Sequence, residues 1–476
     1  MNTFEQQEPK LPGKDKNLFF AKLKIKDAKL IWKLTFPIFL QLFFNVLIIQ
    51  INTVVISWYV DGLYFPVVTK ATIAFNFLQF TPSLIASGTL IVCGNLIGQQ
   101  RENELSDVIV SGLVVNFLIC TCLAFIMFMI APFLLSALSA QDTNIPGTNI
   151  NELQFAIQYY RFLLLRMIVM SITQVFISGL QACKHNRHVM IGAIISNIID
   201  IIIVTLMLFV FKINILYTAF AIVIAGVFQL FYMLGFNLKY INYQNGHHFF
   251  KKIKLKFIKE TVFLGVPIAA EMGIWNVANL INQMAIAKLG DELLSLNRAV
   301  STVIQYATVF TQALATVCSV LVANKIGEDD KEGAYQYGIQ CWKFATYVSF
   351  VGSLIILALT YPLLKIFNMP TNLINNCGYY LFLILVFKMT CDTVNLTILR
   401  ALWAANDVWF PLIVSIFSMF IWQDAFAFMI ISGFKVTGTL GLILIYLGTT
   451  GDPITRSLIY ARRWVKRTWY KYAKKL

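Results

Sequence analysis

The chain is an all-α integral membrane protein of about twelve transmembrane helices, arranged as two parallel six-helix repeats, an N-lobe and a C-lobe, around a central cleft. Three observations predict this. The first is composition: mean hydropathy is +0.71, 58% of residues are hydrophobic and only 13% are charged, which no ordinary soluble domain shows. The second is run length, because apolar stretches repeatedly exceed the ~18 to 20 residues that a bilayer crossing needs. The third is an internal register. Pro37 pairs with Pro267, Gln41 with Glu271, and Asn52 with Asn282, each at an offset of 230 residues. Asn95-Leu96-Ile97-Gly98 pairs with Asn324-Lys325-Ile326-Gly327 at 229, and Ala131-Pro132 with Tyr361-Pro362 at 230. Any two apolar helices align their leucines. They do not hold Pro, Asn and Gly in step over nearly a hundred residues.

In chain order, residues 1–33 form a cytoplasmic tail and interfacial helix. Residues 1–17 are polar, with Pro9, Pro12 and Gly13, and read as disordered. Residues 18–33 interleave Phe19, Phe20, Leu23, Ile25, Leu30 and Ile31 with lysines, as a helix lying in the headgroup boundary does. No short apolar core with a small-residue cleavage site occurs here, so no secretory signal is read. The N-lobe occupies 34–238, with spans near 34–57, 64–92, 106–131, 155–180, 190–211 and 215–237. A basic linker covers 239–259. The C-lobe occupies 260–460, with spans near 260–287, 294–323, 336–360, 376–401, 409–431 and 436–459. A basic tail covers 461–476.

The formal charge of +15 does not point to nucleic acid. The basic residues gather at Lys10–Lys33, Lys239–Lys259 and Arg456–Lys475, which flank spans, and in alternate connections at Arg101, Lys184/Arg187, Lys325/Lys331 and Arg400. The other connections hold only Lys212, Lys288, Lys365 and Lys435. This asymmetry puts both termini in the cytoplasm. Each half has an even number of spans, so the repeats are parallel and related by an axis along the membrane normal. Most of the eight cysteines lie in apolar runs without a CxxC pair, which suits packing and not a disulfide framework or zinc site. His185 and His188 have ligand spacing, yet no further ligand cluster joins them.

Function is sought in the polar residues of the spans, since a charge at mid-bilayer costs ~2.5–3.5 kcal/mol on insertion scales. Glu271 lies near the midplane in Leu264-Gly265-Val266-Pro267-Ile268-Ala269-Ala270-Glu271-Met272-Gly273. The proline four residues earlier lacks a backbone donor and kinks helices. Asp200, with Asn197 one turn away, is the acid of the first half and suits cation coordination by oxygens. Asp392 follows Lys388 by four residues, so it serves either a site or a self-neutralising pair. Glu271, Asp200, Asn197 and Asp392 are therefore the ion-coupling candidates. Gln41, Asn52, Asn276, Asn279, Asn282, Gln283 and Asp424 are the substrate and cleft candidates. Arg161 can snorkel, whereas Arg166 is deeper and needs a partner. No catalytic constellation appears, so no enzyme activity is expected. Beyond a Na+ site at Glu271, no metal or cofactor is expected.

On these residues the sequence resembles the multidrug and toxic compound extrusion (MATE) family, within the MOP flippase superfamily. The likeness runs from Leu34-Thr35-Phe36-Pro37-Ile38 to Asn52-Thr53, through Gly265-Val266-Pro267, Glu271 and Leu296-Asn297-Arg298-Ala299-Val300. It continues to Leu399-Arg400-Ala401, Asn406-Asp407 and Phe410-Pro411, and so covers nearly the whole chain after residue 30. It implies a multi-pass plasma membrane antiporter that exports organic cations or lipophilic compounds in exchange for Na+ or H+ by alternating access, functional as a monomer, with small molecules and the lipid bilayer as its partners. A flippase for lipids or lipid-linked oligosaccharides from the same superfamily is the alternative. The chain departs from the family pattern at Asn52, where an aspartate is common. Asp200 falls near the family's asparagine and Val204 near its usual aspartate. Gln423 falls where basic residues are common. Glu271 is retained, which directs the ion site to the C-lobe.

Overall fold

A computed structural model describes residues 27–58, 64–76, 78, 80–137, 142–145, 150–243, 252–367 and 369–476. The expected disordered tail and most of the interfacial helix lie outside these residues. Among the described residues, regular structure is helical apart from a single bridge between Asn144 and Asn151.

The first half comprises α1 (Ala28–Trp58), α2 (Phe65–Asn76), α3 (Leu84–Gly98), α4 (Leu105–Ala137), α5 (Glu152–Ala182), α6 (Asn186–Thr205) and α7 (Thr218–Tyr240). The second comprises α8 (Leu255–Ala287), α9 (Asp291–Gly327), α10 (Lys331–Ala358), α11 (Thr360–Ile366), α12 (Thr371–Leu373) and α13 (Tyr379–Ala404), then α14 (Trp409–Met419), α15 (Phe426–Phe428), α16 (Gly438–Thr449) and α17 (Gly451–Val465). The short α12 runs through a π-helical turn at Ile374–Gly378 into α13, and α14 runs through another at Phe420–Ala425 into α15.

Among the described residues, eleven helical segments are long and apolar enough to cross a membrane. The twelfth expected span, 436–459, is not among them: it is split at Thr450 into α16 and α17, and α17 carries Asp452, Arg456, Arg462 and Arg463. The second expected span, 64–92, is also interrupted. A single turn of 3-10 helix at Thr81–Ser83 separates α2 from α3, and the crossing continues to Gly98. Pro82 has no N–H to donate, so the ladder fails there. The fully buried Asn116 of α4 donates to the Pro82 carbonyl at 2.9 Å and to Ser171 O at 2.7 Å, which ties the broken segment to α4 and α5 away from water. The linker is shorter than 239–259, because α7 runs to Tyr240 and α8 begins at Leu255.

Among the described residues, packing forms three apolar cores. One straddles both halves at the end that carries the basic connections, joining Ile31, Ile38 and Leu90–Leu96 to Leu264, Phe310–Ile326 and Trp464. The other two lie towards the opposite end, one inside each half. The halves thus share buried surface at the basic end and separate beyond it.

The shared end is sealed by the duplicated Asn-x-x-Gly motif. A Cβ on Gly98 would overlap the Asn324 carbonyl oxygen, and a Cβ on Gly327 would overlap that of Asn95. The two motifs therefore cross backbone to backbone. A Cβ on Gly265 of α8 would sit 2.6 Å from Leu84 O of α3. Aromatic rings bridge α1 and α9, with Trp32 and Phe39 at 5.9 and 5.6 Å from Phe310, and Phe43 at 5.8 Å from Tyr306.

One face of α9 records the whole arrangement. Residues 298, 302, 305, 309, 312, 316, 320, 323 and 327 recur every three or four positions and form one stripe. Its last turns, Val320, Ala323 and Gly327, are buried against α3. Its first turns carry exposed Arg298, Gln305 and Gln312, with half-buried Thr302 and Thr316. Exposed amides have no place against hydrocarbon, so this half of the stripe lines the gap between the lobes.

The segment assigned to a basic tail at 461–476 is folded. The last helix, α17, continues to Val465, and the chain then turns at Arg467 (φ 58°) into a short 3-10 turn at Thr468–Lys471. Trp469 stacks on Trp464 at 4.2 Å, and both rings are fully buried.

Candidate ion-coupling sites and cleft

Glu271 lies midway along α8, is 4% exposed, and follows Pro267 by one turn. Its Oε1 accepts from Ser415 Oγ of α14 at 2.7 Å and faces Arg456 Nη1 of α17 at 3.5 Å. Its Oε2 is buried with no hydrogen-bond partner. Arg456 leans further towards Asp452, with Nη2 at 2.6 Å from Oδ2, and the same oxygen accepts from Gln423 Nε2 at 2.9 Å. Ser415 also contacts the Tyr460 hydroxyl at 2.8 Å, which donates to Pro411 O at 2.9 Å. The C-lobe acid is therefore one member of a buried charge network, held by three helices that converge from distant parts of the chain.

The amides expected around Glu271 are engaged elsewhere. Asn276 donates to Met272 O of its own helix at 2.9 Å, and Asn282 donates to Gln423 O at 2.9 Å. Asn279 is half-buried and Gln283 exposed. At 1.5 Å rise per residue these amides lie about 7 to 18 Å further along α8 than Glu271, so they reach other neighbours even where, as at Asn282, they return to the same face.

Lys388 and Asp392 do not form the ion pair that their spacing allows; no contact within 4 Å joins them among the described residues. Lys388 Nζ instead donates to Thr449 Oγ1 at 3.4 Å, and Asp392 Oδ1 accepts from Asn395 Nδ2 at 3.1 Å. Asp392 and Lys388 still lie within electrostatic reach of Arg456, as Glu271 does of Arg400. Asp424 lies in the π-helical turn, 8% exposed, and its Oδ1 is buried without a partner.

In the N-lobe, Asn52 Nδ2 of α1 donates to Asp200 Oδ2 of α6 at 2.6 Å. Asp200 is 6% exposed, and both its Oδ1 and the Asn52 Oδ1 are buried without partners. Arg166 of α5 is the cation within electrostatic reach of Asp200. Asn197, one turn before Asp200 on α6, makes a separate bond further along the same face of α1, donating to Asn45 Oδ1 at 3.1 Å. Gln41, the repeat counterpart of Glu271, is buried, and its Oε1 has no partner. Arg161 lies over the Phe128 ring at 4.2 Å. His185 stacks on Tyr240 at 3.9 Å, and His188 Nε2 lies 3.0 Å from the same hydroxyl.

The residues that sequence reasoning missed are Arg456, Asp452, Ser415 and Tyr460. Arg456 was grouped with the basic C-terminus, and Arg400 with a loop, although Arg400 lies inside α13. The available signal was the Asp452-x-x-x-Arg456 spacing inside the twelfth expected span, because an acid and a base four apart on a helix face meet.

Two helical lobes related by an internal repeat, each holding a buried carboxylate, define a multi-pass membrane protein built from two copies of one unit. The chain belongs to the MatE family. The sequence model of that family matches it twice, over residues 37–206 and 267–429, beginning on the two repeat prolines. The chain is 22% identical over 453 residues to the uncharacterized transporter YisQ of Bacillus subtilis (strain 168), covering 92% of this chain and 94% of that protein. The fold matches a MOP superfamily transporter from Pyrococcus furiosus, described as having a binding pocket of reverse polarity that suggests a different function. That match has a TM-score of 0.81 at 15% identity, covering 94% of this chain and 96% of the other. It also matches a mutant of the Vibrio cholerae MATE transporter VcmN at a TM-score of 0.82 and 12% identity, covering 92% and 96%.

Proposed function

We propose that the protein is a secondary active exporter of amphipathic or lipophilic compounds, organic cations among them, driven by protons entering the cell. The observation that carries this reading is the state of Glu271: one oxygen shared by Ser415 and a loosely held Arg456, the other without a donor. The nearby guanidinium opposes any added cation, but a proton needs only one donor-free oxygen, which Oε2 supplies, whereas a metal ion needs several oxygens gathered around it. The basic connections support a cytoplasmic position for the shared end. The separated end then faces outward, at the plasma membrane, with both termini inside.

The coupling follows from what α8 touches. Protonation of Glu271 removes one negative charge from the network and leaves Arg456 to Asp452. The α8 helix is then less firmly tied to α14 and α17. Six residues back, about 9 Å along the axis, the same helix meets α3 at Gly265. Pro267 lies between these points and leaves the Phe263 carbonyl without its helical donor. A change of charge at Glu271 is thereby delivered to the lobe contact through a helix weakened in between. In the N-lobe, Asn52 and Asp200 offer two donor-free oxygens that fit a proton or a sodium ion.

The substrate would contact the exposed face of α9, at Thr302, Gln305, Gln312 and Thr316, and the rings of Phe43 and Tyr306. Arg298, exposed on the same stripe, favours the second reading, a flippase for phosphate-bearing lipids. Proteoliposomes with separately imposed proton and sodium gradients, tested with cationic dyes, phospholipids and lipid-linked sugars, separate these readings. Export of a dye driven by a proton gradient, and lost in Glu271→Gln, is the expected result. Sodium-driven export, or undiminished export by the variant, overturns the proton reading.

A further inference from the structure

The segment after Trp469 belongs by sequence to the C-lobe but makes its last contacts on the N-lobe. Lys331 Nζ donates to Tyr470 O at 3.1 Å, and Asn406 Nδ2 to Lys474 O at 3.4 Å, both from the C-lobe. The strand then meets three side chains at the N-lobe end of α3. Asn95 uses both ends of its amide, donating to Lys474 O at 3.4 Å and accepting from Leu476 N at 3.2 Å. Gln99 Nε2 and Arg101 Nη1 donate to Leu476 O at 3.2 and 3.0 Å.

These contacts fall on the lobe seal itself. Asn95 opens the Asn-x-x-Gly motif whose Gly98 crosses Gly327. Its repeat counterpart Asn324, in the orientation that satisfies its amide, donates to Gly94 O at 2.5 Å and accepts from Lys184 Nζ at 3.2 Å. The duplicated asparagines thus do different work: Asn324 bonds directly across the lobes, and Asn95 holds a peptide strand from the other lobe. Trp464 and Trp469, both fully buried and stacked, fix the root of that strand.

We propose that residues 470–476 form a latch that holds the basic end of the two lobes closed and must detach before that end can open. The lobes cannot part at Gly98 and Gly327 while the strand bridges α3 and the C-lobe, because four of its hydrogen bonds end on the N-lobe. The latch rests on the alternating-access reading for its purpose, although its contacts are independent of substrate and coupling ion.

The test uses the full chain in liposomes, with Cys122, Cys183 and Cys391 replaced by serine and spin labels on Asn103→Cys and Gln336→Cys, exposed positions on opposite lobes at the basic end. Truncation after Trp469 is expected to add a second, longer label separation and to raise its population at least threefold over the full chain. Superimposable distributions overturn the latch. A second variant keeps the full length of the chain: Gln99→Cys and Leu476→Cys are joined by a short bismaleimide. The tethered protein is expected to keep only the short separation at acidic and alkaline pH alike; a long separation in the tethered protein overturns the proposal. The distance readout needs no substrate or gradient, so failure of the latch is distinguishable from failure of the export reading.

Discussion

Glu271 and Arg456 meet at 3.5 Å inside the C-lobe, while Arg456 holds Asp452 at 2.6 Å. The guanidinium is thus shared unequally between two acids that lie on different helices. The nearer pair is local, four residues apart on α17. The looser one ties α17 to α8, and it is the contact that a proton would release.

Replacing Arg456 with glutamine leaves Glu271 and Asp452 without their buried cation. Breaking one side of a buried pair typically costs ~3–5 kcal/mol, so the variant should lose thermal stability in detergent by differential scanning fluorimetry. Glu271→Gln in the same background should recover part of that loss, because it removes one of the stranded charges. Additive losses in the double variant would show that the two groups are not coupled.

At Asn52, an aspartate would face Asp200 across the 2.6 Å contact. Two carboxyls at that distance hold one proton between them. Asn52→Asp is expected to keep export and move its pH optimum, whereas Asn52→Leu, which leaves Asp200 without a donor, should reduce export at least tenfold. A pH profile of dye efflux in both variants reads this directly.

The glycine crossing makes a steric prediction. Gly327→Ala places a methyl group on the Asn95 carbonyl, and overpacking of this kind costs ~1–3 kcal/mol. The lobes should separate at the basic end, seen as increased labelling of a cysteine placed at Ala323. Gly352→Ala on α10, where nothing lies within 4 Å of the new carbon, should leave labelling unchanged.

On α9, Gln305→Leu and Gln312→Leu remove hydrogen-bonding groups from the exposed stripe without touching the cores. A several-fold rise in KM for exported dyes, with little change in melting temperature, is expected. Unchanged transport constants in both would place substrate elsewhere.

Much of the fold was legible because hydropathy and register are long-range regularities. Pro37 and Pro267 could be paired by counting, and the family match begins on the same two residues. The broken second crossing was less legible, since Thr81-Pro82-Ser83 is a short signal and the residue that compensates it, Asn116, lies on another helix. Glu271 and Asp200 stood out as acids in apolar runs. Their partners did not, because Ser415 and Arg456 are 144 and 185 residues from Glu271. Arg456 was hidden by its company: a charge counted with a basic terminus does not look like a charge inside a bundle. The folded end of the chain was hidden in the same way, its lysines concealing Trp464 and Trp469.

Where Gly98 passes Gly327, the lobes touch through peptide groups with no side chain between them. Such a joint has no rotamer to swing aside and no room for a file of water. On the proposed reading, a proton taken up at Glu271 therefore has no wire across this joint while it is shut. The barrier can yield only when whole lobes move, so insulation and gating are one property of two hydrogen atoms where methyl groups would otherwise stand.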